Sequence, residues 1–338
     1  MDTAVVILNW NGLKMLRQYL PTLVERTRDE GAFIVIADNG STDGSLEWLE
    51  ENYPGIRRVE FDKNYGFTGG YNRALKEIDA DYYVLLNSDI EVSEGWLEPL
   101  ISFMEEHPDA GICQPKILSI AEPDKFEYAG AAGGFIDRYG YPFCRGRILS
   151  NLETDHGQYD TPKECFWATG ACLVIRSALY HHLGGLDDSF FAHMEEIDLC
   201  WRAKNLGYQV WCIPSSVVHH LGGGTLPNNS PKKLYFNYRN NLLMLHKNLP
   251  DSIRKSRIFF RQILDGASAA IYLLTFRWSY FRAVFLAHRD FRRMRREIDP
   301  SPFDEERNNI GYLNDSIVLK FFLSGKKLKF SDLPHSDF

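Results

Sequence analysis

Short apolar runs alternate with amphipathic stretches over the first third of the chain. The apolar runs predict four strands, at residues 5–8, 33–37, 58–61 and 82–86. Apolar positions at helical spacing predict three helices, at residues 13–24, 46–51 and 71–78. Turn-forming residues fill the intervening segments 38–45 and 64–70. This alternation predicts an α/β fold with a mainly parallel sheet flanked by helices.

Beyond residue 110 the pattern is less regular. Residues 111–175 are rich in Gly, Pro and aromatic residues and predict short strands. Later segments predict a helix at 193–206, a strand at 210–213, a loop at 221–227 and a helix at 234–249. In a parallel sheet, ligands bind beyond the carboxyl ends of the strands, and most of the polar clusters fall there. The functional residues are therefore expected at that edge.

Composition changes this picture little. The chain has 338 residues, enough for one large α/β domain with an extension or for two modest domains. Its six cysteines form no Cys-x-x-Cys pair, which argues against a zinc or redox site and for buried thiols in a reducing compartment. The N-terminus has no basic segment or long apolar segment, so a first strand is predicted there rather than a signal peptide, and a cytoplasmic location is expected.

Two aspartates close predicted strands. Asp89 ends the segment 87–89, and a carboxylate there can hold Mg²⁺ or Mn²⁺, although Asp at a strand end is more often a turn or cap residue. Asp38 follows the second strand and can accept hydrogen bonds from a base or ribose, with an Asx turn as the equal alternative. The glycine-rich loop at 64–70 can bring backbone amides to a phosphate, or is simply a tight strand–helix turn.

A second group of candidates lies in the later half. Glu195, Glu196 and Asp198 crowd three carboxylates into four residues, which raises their pKa values and suits a general base. The alternative is the acidic first turn of a solvated helix. The pair His219-His220 precedes the glycine run 222–224, where His can bind metal or phosphate, or can lie at the surface or in the core.

Together these segments resemble the family 2 inverting glycosyltransferases with a GT-A fold, in particular the bacterial rhamnosyltransferase-like branch that builds surface polysaccharide. The resemblance covers roughly residues 3–250. The matching segments are the opening strand VVILNWNG at 5–12, DNGSTDGS at 38–45, NYGFTGGYN at 64–72, LLNSD at 85–89, EEID at 195–198 and the histidine at 220. Asn87 replaces the first Asp of the family's D-x-D motif, and Glu196 stands where the family has its base Asp. This departure leaves Glu195 and Asp198 open as alternatives.

The resemblance implies a catalytic domain over 1–250, with a donor half over about 1–110 and an acceptor half over about 111–250, followed by a helical basic extension over 251–338. It implies Mn²⁺ or Mg²⁺ on Asp89 and His220. It also implies a nucleotide-sugar site formed by Asn9, Asn11, Asp38, Ser41, Asn64, Gly66, Gly70, Asn72 and Asn87. For the acceptor side, the candidates are Trp167, Thr169 and Gly170, although a Trp in this context is more often a core residue.

The implied reaction is a single displacement. A carboxylate, with Glu196 preferred, removes a proton from an acceptor hydroxyl, and the metal offsets charge on the departing diphosphate. The expected donor is a dTDP- or UDP-linked sugar, with rhamnose as the candidate, and the expected acceptor is a glycan, with a lipid-linked one as an option. The rival interpretations are an inactive sugar-nucleotide or glycan-binding module and a nucleotidyltransferase, whose basic glycine-rich N-terminal signature residues 9–12 lack.

Charge separates the end of the chain from the rest. Residues 254–296 hold eleven Lys and Arg against two Asp, a net +9, which leaves −16 on the remainder because the whole chain carries −7. Apolar and aromatic residues are interleaved with this positive charge, as in helices that lie in the headgroup layer of an anionic membrane. Peripheral attachment to the inner membrane face is therefore predicted. The alternative is packing on the acidic catalytic domain, and nucleic-acid binding is not expected, since no recognition motif accompanies the charge.

Overall fold

The computed structural model describes residues 2–28, 30–222, 230–300 and 311–334. Its strands are β1 Thr3–Asn9, β2 Ala32–Asp38, β3 Arg57–Glu60, β4 Tyr82–Leu86, β5 Ile90–Val92, β6 Ala110–Ser119, β7 Gly134–Ile136, β8 Pro142–Cys144, β9 Arg147–Ile148, β10 Asn151–Leu152, β11 Lys163–Cys165, β12 Cys172–Arg176 and β13 Gln209–His220. Its α-helices are α1 Leu13–Thr27, α2 Ser45–Asn52, α3 Gly66–Ala74, α4 Glu98–Glu106, α5 Ser177–His182, α6 Glu195–Asn205, α7 Pro231–Asn248, α8 Asp251–Leu274, α9 Trp278–Met294 and α10 Ile317–Leu323.

The predicted alternation of strands and helices is confirmed in the first third of the chain. Strand β1 is almost entirely buried because its apolar, β-branched residues face helices on both sides of the sheet. One predicted boundary is wrong: helix α3 begins at Gly66, so most of the glycine-rich loop forms its first turns. Gly66 has a φ of +78°, which explains why the chain enters this helix at a glycine.

The main sheet joins the two halves of the chain. In the order β11-β13-β6-β12-β4-β1-β2-β3, the run β4-β1-β2-β3 is parallel, and β6 is parallel to β13. Strand β12 lies antiparallel between β4 and β6, and β5 pairs antiparallel with the end of β13. The carboxyl ends of β1, β2 and β4 consequently meet at one edge, where the sequence analysis expects the site.

The segments after residue 250 pack on α7 and around the small sheet β7–β10. Helices α8 and α9 contact α7 and each other. Asp137, which is buried beside the small sheet β7–β10, accepts a hydrogen bond from the backbone N–H of Ile317 (3.0 Å). Phe330 packs against the rings of Phe135 and Tyr159. The boundary at residue 250 stays a prediction, as do the two halves of the catalytic domain.

A bilayer crossing requires about 20 predominantly apolar residues in one helix. None of the helices in the described part of the chain combines that length with that apolar content.

Candidate active site

Asn9 and Asp38 face each other at the carboxyl ends of β1 and β2. The Asn9 amide nitrogen donates to Asp38 Oδ2 (2.8 Å) and to Ser41 Oγ (3.1 Å), and Asp38 Oδ1 accepts from the Ser41 backbone N–H (2.8 Å). Asn11 also connects the segment after β1 to the segment after β2, because its side-chain oxygen accepts a hydrogen bond from the backbone N–H of Thr42 (2.8 Å). The structure therefore brings these four predicted residues together in one network.

Two features of this edge bear on ligand binding. Asn9 Oδ1 is buried and has no hydrogen-bond partner among the described residues, which is costly for a polar atom. Trp10, which the sequence analysis did not select, follows β1 with its side chain about half exposed. An exposed ring beside buried hydrogen-bonding groups is an arrangement that suits stacking on a nucleobase.

The loop before α3 packs closely against this network. Asn64 Oδ1 accepts from the Gly66 backbone N–H (2.7 Å) and from the Asn39 amide (3.1 Å). A side chain at Gly70 would meet Leu8 Cδ1 at 2.6 Å, so a glycine is required where the helix crosses β1. Asn39, which no local signal distinguished from its neighbours, holds the two loops together.

Asn72 corrects the expectation of a donor-binding role. Its amide nitrogen donates to the Leu186 carbonyl (2.6 Å) and to Asp188 (2.8 Å), and its oxygen accepts from Tyr180 (2.7 Å). Every part of the amide is thus engaged within the protein. Asn72 anchors the segment after α5, and this leaves no free amide atom for a ligand.

Asp89 and His220 lie side by side, because His220 pairs with Ile90 across strands β13 and β5. His220 Nε2 is 3.2 Å from Asp89 Oδ1, and its Nδ1 is 3.5 Å from Glu127 Oε2. The sequence gives no signal for Glu127, because it belongs to none of the motifs and is distant from His220 along the chain. Loop 221–227 and the glycine run after His220 are described only as far as Gly222; the rest lies outside the described residues.

The charge of the His220 ring is set by the two carboxylates beside it. Burial opposes a charged imidazole, but the carboxylates of Asp89 and Glu127 outweigh it and raise the pKa of His220 to about 9. The three residues are buried, each less than a tenth exposed as a whole residue. Within the described ranges, no three His, Cys, Asp or Glu side chains converge in a geometry that holds a metal by themselves. The position nevertheless stabilises one positive charge between two carboxylates.

Glu195 and Glu196 begin helix α6, and each has one carboxylate oxygen that is buried without a hydrogen-bond partner in the described structure. Burial raises the pKa of Glu196 to about 7. For Glu195, burial and then the adjacent Glu196 raise the pKa well above its ordinary value. Around neutral pH the pair therefore favours a protonated Glu195 beside a Glu196 that gains and loses its proton.

Asp198 has a different environment. It is fully buried and accepts hydrogen bonds from Arg202 Nε (2.8 Å), Lys247 Nζ (2.9 Å) and the Asn248 amide (2.7 Å). These contacts tie α6 to α7, and they occupy both oxygens of the carboxylate. The geometry fits a structural ion pair rather than a group that accepts a proton from a substrate.

The Asp198→Asn variant is expected to lose about 3–5 kcal/mol of unfolding free energy, because it removes one member of a buried ion pair and leaves two cations short of a partner. Urea unfolding measures this loss. Asp187→Asn is the control, since Asp187 contacts the same Lys247 (2.7 Å) but is more exposed, and a smaller loss is expected. Wild-type stability in Asp198→Asn would contradict the structural role.

The segment that precedes α6 is held in a strained conformation. Phe191, His193 and Met194 all have φ values between 65° and 71°, which costs about 1–3 kcal/mol for each such residue. The Asn240 amide compensates by donating to the carbonyls of Ala192 (2.8 Å) and His193 (2.7 Å). Strain of this kind is typical of segments that position functional groups, and here it directly precedes the helix that begins with Glu195 and Glu196.

The three residues predicted to bind the acceptor differ in burial and contacts in the structure. The Trp167 ring is buried, and its Nε1 donates to the Phe135 carbonyl (2.9 Å), which fits the core alternative rather than stacking on a sugar. Thr169 is also buried, where its backbone N–H donates to Gln114 (3.0 Å). Gly170 alone is partly exposed, and a Cβ there would lie 3.7 Å from Glu196 Cβ.

Gly170 also lies close to the segment that carries Asp89. The carbonyl of the next residue, Ala171, accepts from the Asn87 backbone N–H (2.9 Å), and Asn87 stands two residues before Asp89. The backbone beside Glu196 is thereby hydrogen-bonded to the segment that carries Asp89, which pairs with His220. An α/β fold with buried polar groups gathered at one edge of the sheet is the usual arrangement of an enzyme that binds its ligand at that edge.

Comparison with known proteins identifies the family. The family described as "Glycosyl transferase family 2" matches residues 4–184, and the chain belongs to this family. A relative described as N-acetylglucosaminyl-diphospho-decaprenol L-rhamnosyltransferase, from Mycobacterium tuberculosis, is 26% identical over 240 residues, covering 65% of this chain and 76% of the relative. The dTDP-rhamnosyl transferase RfbF of Shigella flexneri is 21% identical, and the match covers 68% of this chain and 76% of that relative. The predicted resemblance to the rhamnosyltransferase-like branch is confirmed.

Solved structures with the same fold are glycosyltransferases. GalNAc-T7 with UDP, GalNAc and Mn²⁺ superimposes with a TM-score of 0.58 at 18% identity over 73% of this chain, which spans about half (48%) of that structure. The mannosyltransferase PcManGT of Pyrobaculum calidifontis, with GDP-Man and Mn²⁺, superimposes with a TM-score of 0.50 at 12% identity. The superposition covers 84% of this chain and 85% of that structure. These likenesses confirm the GT-A fold.

Proposed function

We propose that this chain transfers a sugar from a nucleoside-diphosphate donor to an acceptor hydroxyl with inversion, and that the sugar is rhamnose. The observation that carries the proposal is the edge itself, where Glu196, with a pKa near neutrality, lies beside backbone that is hydrogen-bonded to the segment carrying Asp89, which pairs with His220. Two relatives whose names specify rhamnosyl transfer support the choice of sugar.

The nucleoside half of the donor belongs with the network of Asn9, Asn11, Asp38 and Ser41. Its buried carboxylate and hydroxyl are held in place by the hydrogen bonds described above, so they offer fixed positions to a base or ribose. Asn64, Gly66 and Gly70 lie beside this network. Their role is to shape the loop rather than to donate side-chain hydrogen bonds, because the Asn64 side-chain oxygen is already engaged by Asn39 and Gly66.

The residues at the other end fit a divalent cation. Asp89 would supply a carboxylate oxygen and His220, once its ring has lost the proton, an imidazole nitrogen, which is a donor set that Mn²⁺ accepts. The two carboxylates that favour the protonated ring would favour the positive charge of the metal in the same way. Two protein ligands leave coordination places for diphosphate oxygens, as is usual for Mg²⁺. Glu127 is suited to orient the His220 ring through Nδ1. When bound, the metal would offset charge on the departing diphosphate.

Glu196 is the proposed general base. In its ionised form it removes the proton from the acceptor hydroxyl, whose oxygen then attacks the anomeric carbon on the face opposite the diphosphate. Burial favours the neutral form, so the carboxylate holds a proton firmly enough to accept one near neutral pH. Gly170 beside it leaves room for the acceptor, because this position carries no side chain.

The acceptor is proposed to be a glycan carried on a lipid diphosphate. The mycobacterial relative is named for an acceptor of this chemistry, N-acetylglucosaminyl-diphospho-decaprenol. An enzyme that uses such an acceptor works where the lipid is, so we infer that the chain acts at the cytoplasmic face of the cell membrane. The supporting feature of the chain is the +9 charge of residues 254–296.

A thermal-shift panel tests the proposal directly. We expect dTDP-rhamnose to raise the unfolding midpoint only in the presence of Mn²⁺, since a ligand at a hundredfold excess over Kd stabilises by about 2.7 kcal/mol. Transfer to a glycan acceptor then has to release dTDP. A nucleoside triphosphate that is consumed with release of pyrophosphate would indicate a nucleotidyltransferase instead, and donor binding without any turnover would indicate a binding module.

A further inference from the structure

Helix α8 buries its polar face. Arg261 and Asp265 are both almost fully buried and form an ion pair, with Nε 2.7 Å from Oδ1. Asp265 also contacts His288 Nε2 of α9 (3.1 Å) and accepts from the Tyr141 hydroxyl (3.2 Å). The guanidinium of Arg261 lies 3.8 Å from the centre of the Tyr141 ring. The charged side chains in the middle of this helix thus face the protein.

The opposite face of α8 is apolar and faces outward. Phe260, Ile263, Ile271 and Leu274 recur at spacings of three, eight and three residues, which places them on one side of the helix, and each is more than half exposed. From Phe260 to Leu274 this stripe is about 21 Å long at the usual helical rise. A helix on the surface of a soluble domain normally has the reverse arrangement.

The apolar surface continues around the turn into α9. Phe276 and Trp278, which lie in and just after the turn, are 78% and 60% exposed, and Phe285 further along α9 is 61% exposed. Helices α8 and α9 pack against each other, so these residues and the α8 stripe belong to one hairpin. An exposed apolar surface of this extent marks a site of interaction rather than ordinary solvent-facing surface.

The charge around this surface is mainly positive. Between residues 252 and 296 the only acids are Asp265 and Asp290, and both are buried and paired, Asp290 with the Tyr235 hydroxyl (2.8 Å) and Arg289 (2.9 Å). The exposed cations of the hairpin are Lys255, Arg277, Arg282, Arg289, Arg292, Arg293, Arg295 and Arg296. The exposed acids next to the hairpin lie at the end away from the turn, namely Asp251, which pairs with Arg254, and Glu297 and Asp299 after α9. The outer surface of the hairpin consequently presents apolar side chains and an excess of positive charge.

We propose that the α8–α9 hairpin docks on an anionic lipid surface, with the stripe and the residues of the turn at the boundary of headgroups and acyl chains and the arginines at the lipid phosphates. The inference deepens the proposed function and rests on it for the lipid-linked acceptor. A second copy of the chain fits the outer surface of the hairpin less well than an anionic lipid surface does. A symmetric contact through this face brings two surfaces of the same positive sign together.

Co-sedimentation with vesicles tests the docking on the full chain. Binding is expected to vesicles of phosphatidylglycerol and phosphatidylcholine in equal parts and to fall steeply with added salt, whereas vesicles of phosphatidylcholine alone bind weakly. The pair Ile271→Ser with Leu274→Ser is expected to weaken binding about tenfold or more, because two side chains no longer enter the lipid. Arg292→Gln with Arg296→Gln is expected to have an effect of about the same size at low salt.

The matched control removes two exposed leucines elsewhere, with Leu152→Ser and Leu206→Ser, and leaves vesicle binding unchanged. Wild-type binding by the Ile271/Leu274 pair, or equal binding to neutral vesicles, overturns the proposal. So does a dimer in light scattering that this pair abolishes while vesicle binding persists. Transfer to a water-soluble acceptor separates the two proposals, because a chain that binds vesicles but transfers nothing contradicts the enzymatic function alone.

Discussion

The Glu196→Gln variant is expected to turn over at least about 100-fold more slowly than the wild-type chain, with nearly unchanged affinity for the donor. The amide keeps the size of the side chain but accepts no proton. The proposed nucleoside site is formed by Asn9, Asn11, Asp38 and Ser41, and the substitution changes none of these side chains. Steady-state kinetics with the nucleotide-sugar, together with calorimetric donor binding, measure the two quantities separately.

The pH dependence follows from the same side chain. The base acts in its ionised form, and burial raises the pKa of Glu196 to about 7, so turnover should fall as the pH drops through about 7. With an unperturbed glutamate as the base, this fall in turnover would occur near pH 4.3 instead. In Glu196→Gln the residual activity should show no such fall.

Two further variants decide among the neighbouring carboxylates. Glu195→Gln is expected to retain most of the turnover, because its high pKa keeps it protonated in the wild-type chain. Asp198→Asn is expected to act on stability. If Asp198→Asn abolished turnover in a folded protein while Glu196→Gln did not, the base would be Asp198.

The Asp89→Ala variant is expected to lose metal-dependent donor binding while the fold stays intact. Asp89 is a buried carboxylate 3.2 Å from His220, and its removal leaves the imidazole as the one proposed ligand. Loss of a metal ligand together with its charge should weaken donor binding in Mn²⁺ by about 100-fold or more, beyond the 10–100-fold known for outer-shell partners. Calorimetric titration of the donor with and without Mn²⁺ gives the result.

Asp155→Ala is the matched control for this experiment. The Asp155 side chain is as buried as that of Asp89, at 11% against 10% exposed, but it pairs with Lys116 outside the proposed site. It should lower stability and leave the dependence on Mn²⁺ unaltered. Unchanged donor affinity of Asp89→Ala in Mn²⁺ would remove Asp89 from the metal site.

Much of the donor half could be predicted from local pattern. Strands β1 and β2 are short apolar runs that end in Asn9 and Asp38, and Asn87 directly follows β4, so a parallel sheet necessarily brings these residues together. The start of α3 was misplaced, because Gly66–Gly70 has the composition of a loop. Packing of α3 across Leu8 overrides that low helix propensity, and the glycines are there to permit the close approach.

Other site residues depend on contacts between distant segments. Glu127 meets His220 only because β6 and β13 run side by side, and Asn240 reaches the strained segment 191–194 from a helix almost fifty residues away. Trp167 and Asn72 looked suited to ligand binding, yet the fold uses one in the core and the other as an anchor. A residue type limits what a side chain can do, but its neighbours decide which of those uses remains open.

The sequence by itself determined the alternation of strand and helix, the edge at which the polar clusters meet, and the excess of positive charge over residues 254–296. Only the tertiary structure decided which carboxylate of 195–198 is free and which is locked by Arg202 and Lys247. It also decided that α8 turns Arg261 and Asp265 inward and its apolar stripe outward. Periodicity depends on neighbours along the chain, whereas burial and pKa depend on groups that only folding brings together.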